Sequence, residues 1–75
     1  MSTMATIVDT GIAASEHDVV RLVRALDQHR PGARGTLVAA HPEVDSYLVE
    51  VVEDDGRVLD TVEAHRADFQ VVWRP

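Results

Sequence analysis

R-P-G-A-R-G-T-L-V-A-A-H-P-E-V-D-S-Y-L-V-E-V-V-E-D-D-G runs from Arg30 to Gly56 and holds the clearest architectural signals in the chain. Gly32 and Gly35 read as a tight turn that leads into an apolar, β-branched strand over 36–41, and Pro42 stops that strand because it has no N–H for a ladder. Ser46 to Glu53 follows with period-2 alternation, Tyr47, Val49 and Val51 against Leu48, Glu50 and Val52. Asp55-Gly56 then marks a two-residue hairpin turn, with Gly56 supplying the positive φ that such a turn requires. Short strands punctuated this tightly describe a small, strongly bent β-barrel.

Arg57 to Glu63 is the returning strand of the hairpin. Residues 64–68 contain no β-branched side chain and suit one turn of helix or 3₁₀. Phe69 to Trp73 is a last strand. Upstream, residues 17–28 carry conflicting signals. Ser15 with Asp18 resembles a capping box, and Val19, Leu22, Val23 and Leu26 recur at helical spacing opposite Arg21, Arg24 and Gln28. Against a helix stand the β-branched Val19, Val20 and Val23, the short length, and the Pro31-Gly32 that follows. The global pattern selects a strand. Residues 1–15, with Thr6 to Val8 able to dock as a short strand, read as a flexible N-terminal arm. Residues 16–75 then form one all-β domain, an SH3-like five-stranded barrel with a short 3₁₀ turn before its last strand.

Composition bounds the function. A chain of 75 residues is a single domain, and at this size only about 60% of the unfolded surface is buried, so stability is marginal or completed by a partner. The absence of cysteine excludes disulfides, thiolate metal sites and a Cys nucleophile. No apolar run nears the roughly 20 residues that span a bilayer. The first fifteen residues lack the basic and apolar regions of a signal peptide, which makes the cytoplasm the expected location. Net charge is −6, all of it from residues 43–75, where nine acids face Arg57, Arg66 and Arg74. Such a half repels phosphate backbones and attracts basic surfaces, so duplex nucleic acid is not an expected partner.

The segments D-V-V-R-L-V-R-A-L, P-G-A-R-G-T-L-V, Y-L-V-E-V-V-E-D-D-G-R-V-L and A-D-F, between Asp18 and Val72, resemble a small bacterial family catalogued as domain of unknown function 4926. Its pattern is a leading apolar strand, a P-x-G-x-x-G-T-V-V-like turn and strand, a Y-x-V-E-F strand and a D-x-x-G turn. Two departures are visible: Pro31 abuts Gly32 without a spacer, and Val51 stands where the family often has an aromatic. The resemblance implies an SH3-like barrel in a small protein encoded beside other short genes, in settings of the toxin–antitoxin or immunity kind, with no catalytic residues. The barrel is also similar to the SH3-like part of nitrile hydratase β-type subunits, which implies an accessory or maturation role beside a separate catalytic chain. That second likeness lies at the level of fold.

Candidate sites are few. The Gly32/Gly35 loop lacks the Lys and the following helix of a phosphate loop and is assigned, with Gly56, to structural turns. His17, His29, His41 and His65 share no zinc-like spacing and read as solvated loop residues, with no metal or cofactor expected. Ser46, His41 and Asp45 carry hydrolase-type groups, but no nucleophile elbow accompanies them, and no enzyme activity is expected. Tyr47, Phe69 and Trp73 are too few aromatics for a proline-peptide groove. Trp73 either caps the barrel bottom or anchors an interface.

The remaining signals point to a protein interface. Leu48 and Val52 flank Glu50 on the strand face opposite the inward Tyr47, Val49 and Val51. The hairpin acids Asp54 and Asp55 can steer a basic partner. The expected function is therefore a non-catalytic protein-binding module, using Leu48, Glu50, Val52, Asp54, Asp55 and Trp73, on a basic protein partner or in a homodimer. The antitoxin or immunity setting comes from the family resemblance. The alternatives are an enzyme accessory subunit and an RNA-binding module using Arg21, Arg24, Arg30 and Arg34.

Overall fold

A computed structural model describes residues 13–75. The expected strand at Thr6 to Val8 lies outside the described residues. Five antiparallel strands form one sheet: β1 (Val19–Leu22), β2 (Arg34–His41), β3 (Ser46–Val52), β4 (Val58–Ala64) and β5 (Phe69–Trp73). Their spatial order is β4-β3-β2-β1-β5. Single 3₁₀ turns occur at Pro42–Val44 and Arg66–Asp68. Pro42 thus ends β2 and opens a turn whose fixed φ it suits.

The sheet is strongly curled. In a flat sheet β3 and β5, three steps apart, would be separated by about 14 Å. Yet the rings of Tyr47 on β3 and Phe69 on β5 meet edge to face with centroids 5.3 Å apart. The two edge strands, β4 and β5, are also linked by only residues 65–68, too short to cross a flat five-stranded sheet. Curling places Val20, Leu22, Leu37, Val49, Phe69 and Val71 in one fully buried core on the concave face. Ala14, from the segment read as the arm, is buried in the same cluster.

Local chemistry explains the elements. Val19–Leu22 is strand, not helix. The Ser15/Asp18 signal is satisfied in a turn: the Ser15 N–H donates to Asp18 Oδ2 at 2.9 Å, and the Asp18 N–H donates to the Ser15 carbonyl at 3.2 Å. The helical spacing of Val23 and Leu26 dissolves into a loop, closed by reciprocal backbone bonds between Leu26 and His29. The β3–β4 hairpin is wider than a two-residue turn. It closes with the Gly56 N–H on the Glu53 carbonyl at 2.8 Å and the Glu53 N–H on the Arg57 carbonyl at 2.9 Å. Gly56 alone in that turn has positive φ, +89°, the pattern of a turn followed by a glycine bulge.

Gly35 departs from its assignment to a turn. It lies inside β2, buried, where an added Cβ would stand 2.6 Å from Val49 Cγ1 and 2.7 Å from the Glu50 carbonyl oxygen. Close approach of β3 excludes a side chain there, whereas Gly32 is a true turn glycine with φ +96° and open space around it.

Both ends of β5 are pinned. The Asp18 carboxylate is 3% exposed and accepts from the Arg74 guanidinium, with Nη2 at 2.9 Å. Arg74 also donates to the Ala13 carbonyl. Burial pushes the Asp18 carboxyl up, but hydrogen bonds from Arg74 and the Ser15 N–H outweigh it and hold the group below the usual carboxylate range. At the other end Arg66 lies over the Phe69 ring at 4.9 Å and donates to the Phe69 carbonyl at 3.0 Å.

Candidate functional site

β3 divides its side chains by alternation. Tyr47, Val49 and Val51 enter the core, so Leu48, Glu50 and Val52 must face outward on the convex side. The ladder fixes their neighbours. Val52 lies between Arg34 of β2 and Val58 of β4, Glu50 between Thr36 and Thr61, and Leu48 between Ala39 and Glu63. Val58, 54% exposed, therefore enlarges the apolar surface at Val52. Leu59, next to it beside the β3–β4 irregularity, is 50% exposed. Apolar side chains on either side of Glu50, with Glu63 beside Leu48, have the composition of a protein contact.

The hairpin acids continue this surface at one end. Glu53, Asp54 and Asp55 line a shallow hollow at the tip. Arg57 bridges two of them, through Nη2 to Glu53 at 2.6 Å and Nε to Asp55 at 2.9 Å. Asp54 makes no ion pair among the described residues. The tip is thus a partly neutralised acidic knob with one uncompensated carboxylate.

Trp73 does not join that surface. It is paired with Val19 on β1, and β1 and β2 stand between it and β3 in the sheet. At 56% exposed it does not cap the core either. Val58 and Leu59, which sequence reasoning passed over, take its place. The signal was present in two consecutive apolar residues after the Asp-Asp-Gly-Arg turn, since a half-buried strand explains only one of them.

The Arg set is only partly assembled. Arg21 and Arg34 stand directly opposite each other on β1 and β2. Arg24 is instead paired with Asp68 at 3.3 Å, and Arg30 lies on the exposed loop.

Groups with hydrolytic chemistry are engaged apart from one another. The Ser46 hydroxyl donates to Glu63 at 2.8 Å, His41 faces Glu43 at 3.9 Å, and Asp45 accepts from the Arg66 N–H at 2.9 Å. Among the described residues no three His, Asp or Glu side chains converge as metal ligands. His29 differs from the solvated loop residue expected of it. Its side chain is 8% exposed, with Nε2 3.2 Å from Asp60 Oδ2. His29 belongs to the β1–β2 loop, which thus reaches Asp60 on β4, a long-range contact that no spacing in the sequence signals.

His65 ties two loops together. Its Nδ1 donates to the Asp45 carbonyl at 2.9 Å, and its N–H donates to Asp68 Oδ2 at 2.8 Å. The Asp45 carbonyl and then the Asp45 carboxylate raise the imidazole above its ordinary 6.5.

Among the described residues no helix is long and apolar enough to cross a membrane. Comparison with curated proteins and with solved structures returns no match. A family model does match, over residues 16–71, which takes in all five strands but the last two residues of β5. The chain belongs to the family described as Domain of unknown function (DUF4926).

Proposed function

We propose that this protein is a non-catalytic binding module that docks on a protein partner with a basic surface. One observation carries the reading: Leu48 and the Val52–Val58 pair place apolar side chains on the convex face to either side of Glu50, with Glu63 beside Leu48 and the acidic tip beyond Val58. In this reading the apolar side chains supply the desolvated contact, while the uncompensated Asp54 and its neighbours speed encounter and set register. An SH3-like barrel is the fold class in which we place the curled sheet. The antitoxin or immunity setting, with the partner encoded by a neighbouring gene, rests on the family resemblance.

The mechanism separates in kinetics. With the partner in hand, Asp54→Asn lowers the association rate and flattens its salt dependence while leaving dissociation unchanged, because a rim charge acts on encounter. Asp55→Asn has a smaller effect on encounter, since Arg57 already neutralises that carboxylate. Association rates unchanged by Asp54→Asn at low salt would remove the hairpin from the mechanism.

A further inference from the structure

A different part of the convex face carries chemistry that protein docking does not use. Arg21 and Arg34 are direct cross-strand partners, on the outward side because Val20 and Leu22 are buried. Like charges placed directly opposite one another in a sheet repel. Neither guanidinium pairs with a carboxylate among the described residues. Arg21 is oriented instead by a neutral group, donating from Nη2 to Gln70 Oε1 at 2.7 Å. That contact fixes the guanidinium without cancelling its charge. Two opposed planar forks with no acid between them match the oxygens of one phosphate group.

The next outward position along β1 is Val19, and its partner on β5 is Trp73. A register shift between Val19 and Val20 sets Trp73 two residues along β1 but three along β5 from the Arg21–Gln70 level, so the indole, more than half exposed, stands about 7–10 Å along the strands from it. A ribose holds a base and its 5′-phosphate at a comparable spacing. From this juxtaposition we infer that the β5-β1-β2 face binds a nucleotide phosphate, with the base stacked on Trp73 and the phosphate between Arg21 and Arg34. Aromatic stacking beside arginine is the arrangement by which unpaired bases are held without sequence readout. The overall charge of −6 disfavours a long polyanion and restricts the site to a single nucleotide or a short single strand. This site adjoins the proposed docking surface, because Arg34 is also the cross-strand neighbour of Val52.

Trp73 is the only tryptophan, so its fluorescence reports the site directly. Adenosine 5′-monophosphate is titrated into the full-length protein, excited at the red edge of the indole band. Saturable quenching is expected, with adenosine far weaker. Arg21→Gln and Arg34→Gln each weaken binding by about tenfold or more. Both residues are exposed, and circular dichroism checks that each variant retains the fold. A four-nucleotide single-stranded RNA without terminal phosphates forms the second arm. Tighter binding of that RNA, with affinity falling steeply in salt, identifies the ligand as a strand, whereas binding of the monophosphate alone identifies a free nucleotide. Absence of quenching by both probes overturns the inference, as does equal quenching by adenosine or an unaltered response in both arginine variants.

Discussion

Gly35→Ala isolates the close approach of β2 and β3. The added methyl group would lie 2.6 Å from Val49 Cγ1, 2.7 Å from the Glu50 carbonyl oxygen and 3.2 Å from the Glu50 carbonyl carbon. None of these can yield easily. Two belong to backbone held in the ladder, and Val49 is fully buried in the core. The strands must therefore part, at the cost of an overpacked core, about 1–3 kcal/mol. Alanine offsets about 0.5–1 kcal/mol of that through the lower entropy of its unfolded chain. The difference spans roughly 0–2.5 kcal/mol, and because two of the three clashing atoms are backbone the loss falls in its upper part, about 1–2.5 kcal/mol, a fall in Tm of about 4–20 °C for a domain of this size. Thermal unfolding by circular dichroism measures the loss, and amide exchange should show faster opening at 35–37 and 49–51. A Tm within about 2 °C of the parent, less than a single kcal/mol would produce, would refute the steric argument.

Asp18→Asn weakens the clamp between Ser15, β1 and Arg74. Denaturant unfolding should show a loss of roughly 1–3 kcal/mol, toward the low end because Arg74 is partly solvated. Asp18's folded value is lowered, so its contribution is present above the unfolded value near 3.8 and is lost as pH falls through the lower folded value. The acid limb of the stability profile should flatten in the variant, and an unchanged limb counts against the clamp. His65 acts with the opposite sign. Its folded value is raised, so its contribution is complete below 6.5 and disappears as pH rises through the folded value. NMR titration should place the His65 midpoint above 6.5, and His65→Gln should remove that shift in stability; a midpoint at or below 6.5 contradicts the Asp45 contact.

Much of the architecture is legible where period and punctuation act locally. The Tyr47/Val49/Val51 alternation fixes which face of β3 is buried, and Phe69–Trp73 is bounded as read. Pro42 and Gly56 act through their own backbone preferences. What escaped the sequence depends on neighbours distant along the chain. Gly35 looks like a turn glycine until β3 is laid against it. Ser15 and Asp18 satisfy the same hydrogen bond in a turn that they would at a helix start, so the motif is right and the element different. The surface was legible in part. Leu48, Glu50 and Val52 are outward as alternation requires, but only the strand order shows that Trp73 lies beyond β2 and β1 while Val58 lies alongside. Arg21 and Arg34 are thirteen positions apart in sequence and become partners through the β1–β2 register alone.

The central claim is that the convex β3–β4 face is a protein-docking surface. Quantitative affinity capture from the cells that encode the chain, comparing the parent with Val52→Asp and Val58→Asp, tests it most directly. Both variants must first show the parent's thermal unfolding, as expected for side chains that are half-buried or exposed. The account predicts one stoichiometric protein retained by the parent and lost from both variants. Equal retention by parent and variants, or no stoichiometric protein with the parent, would contradict it.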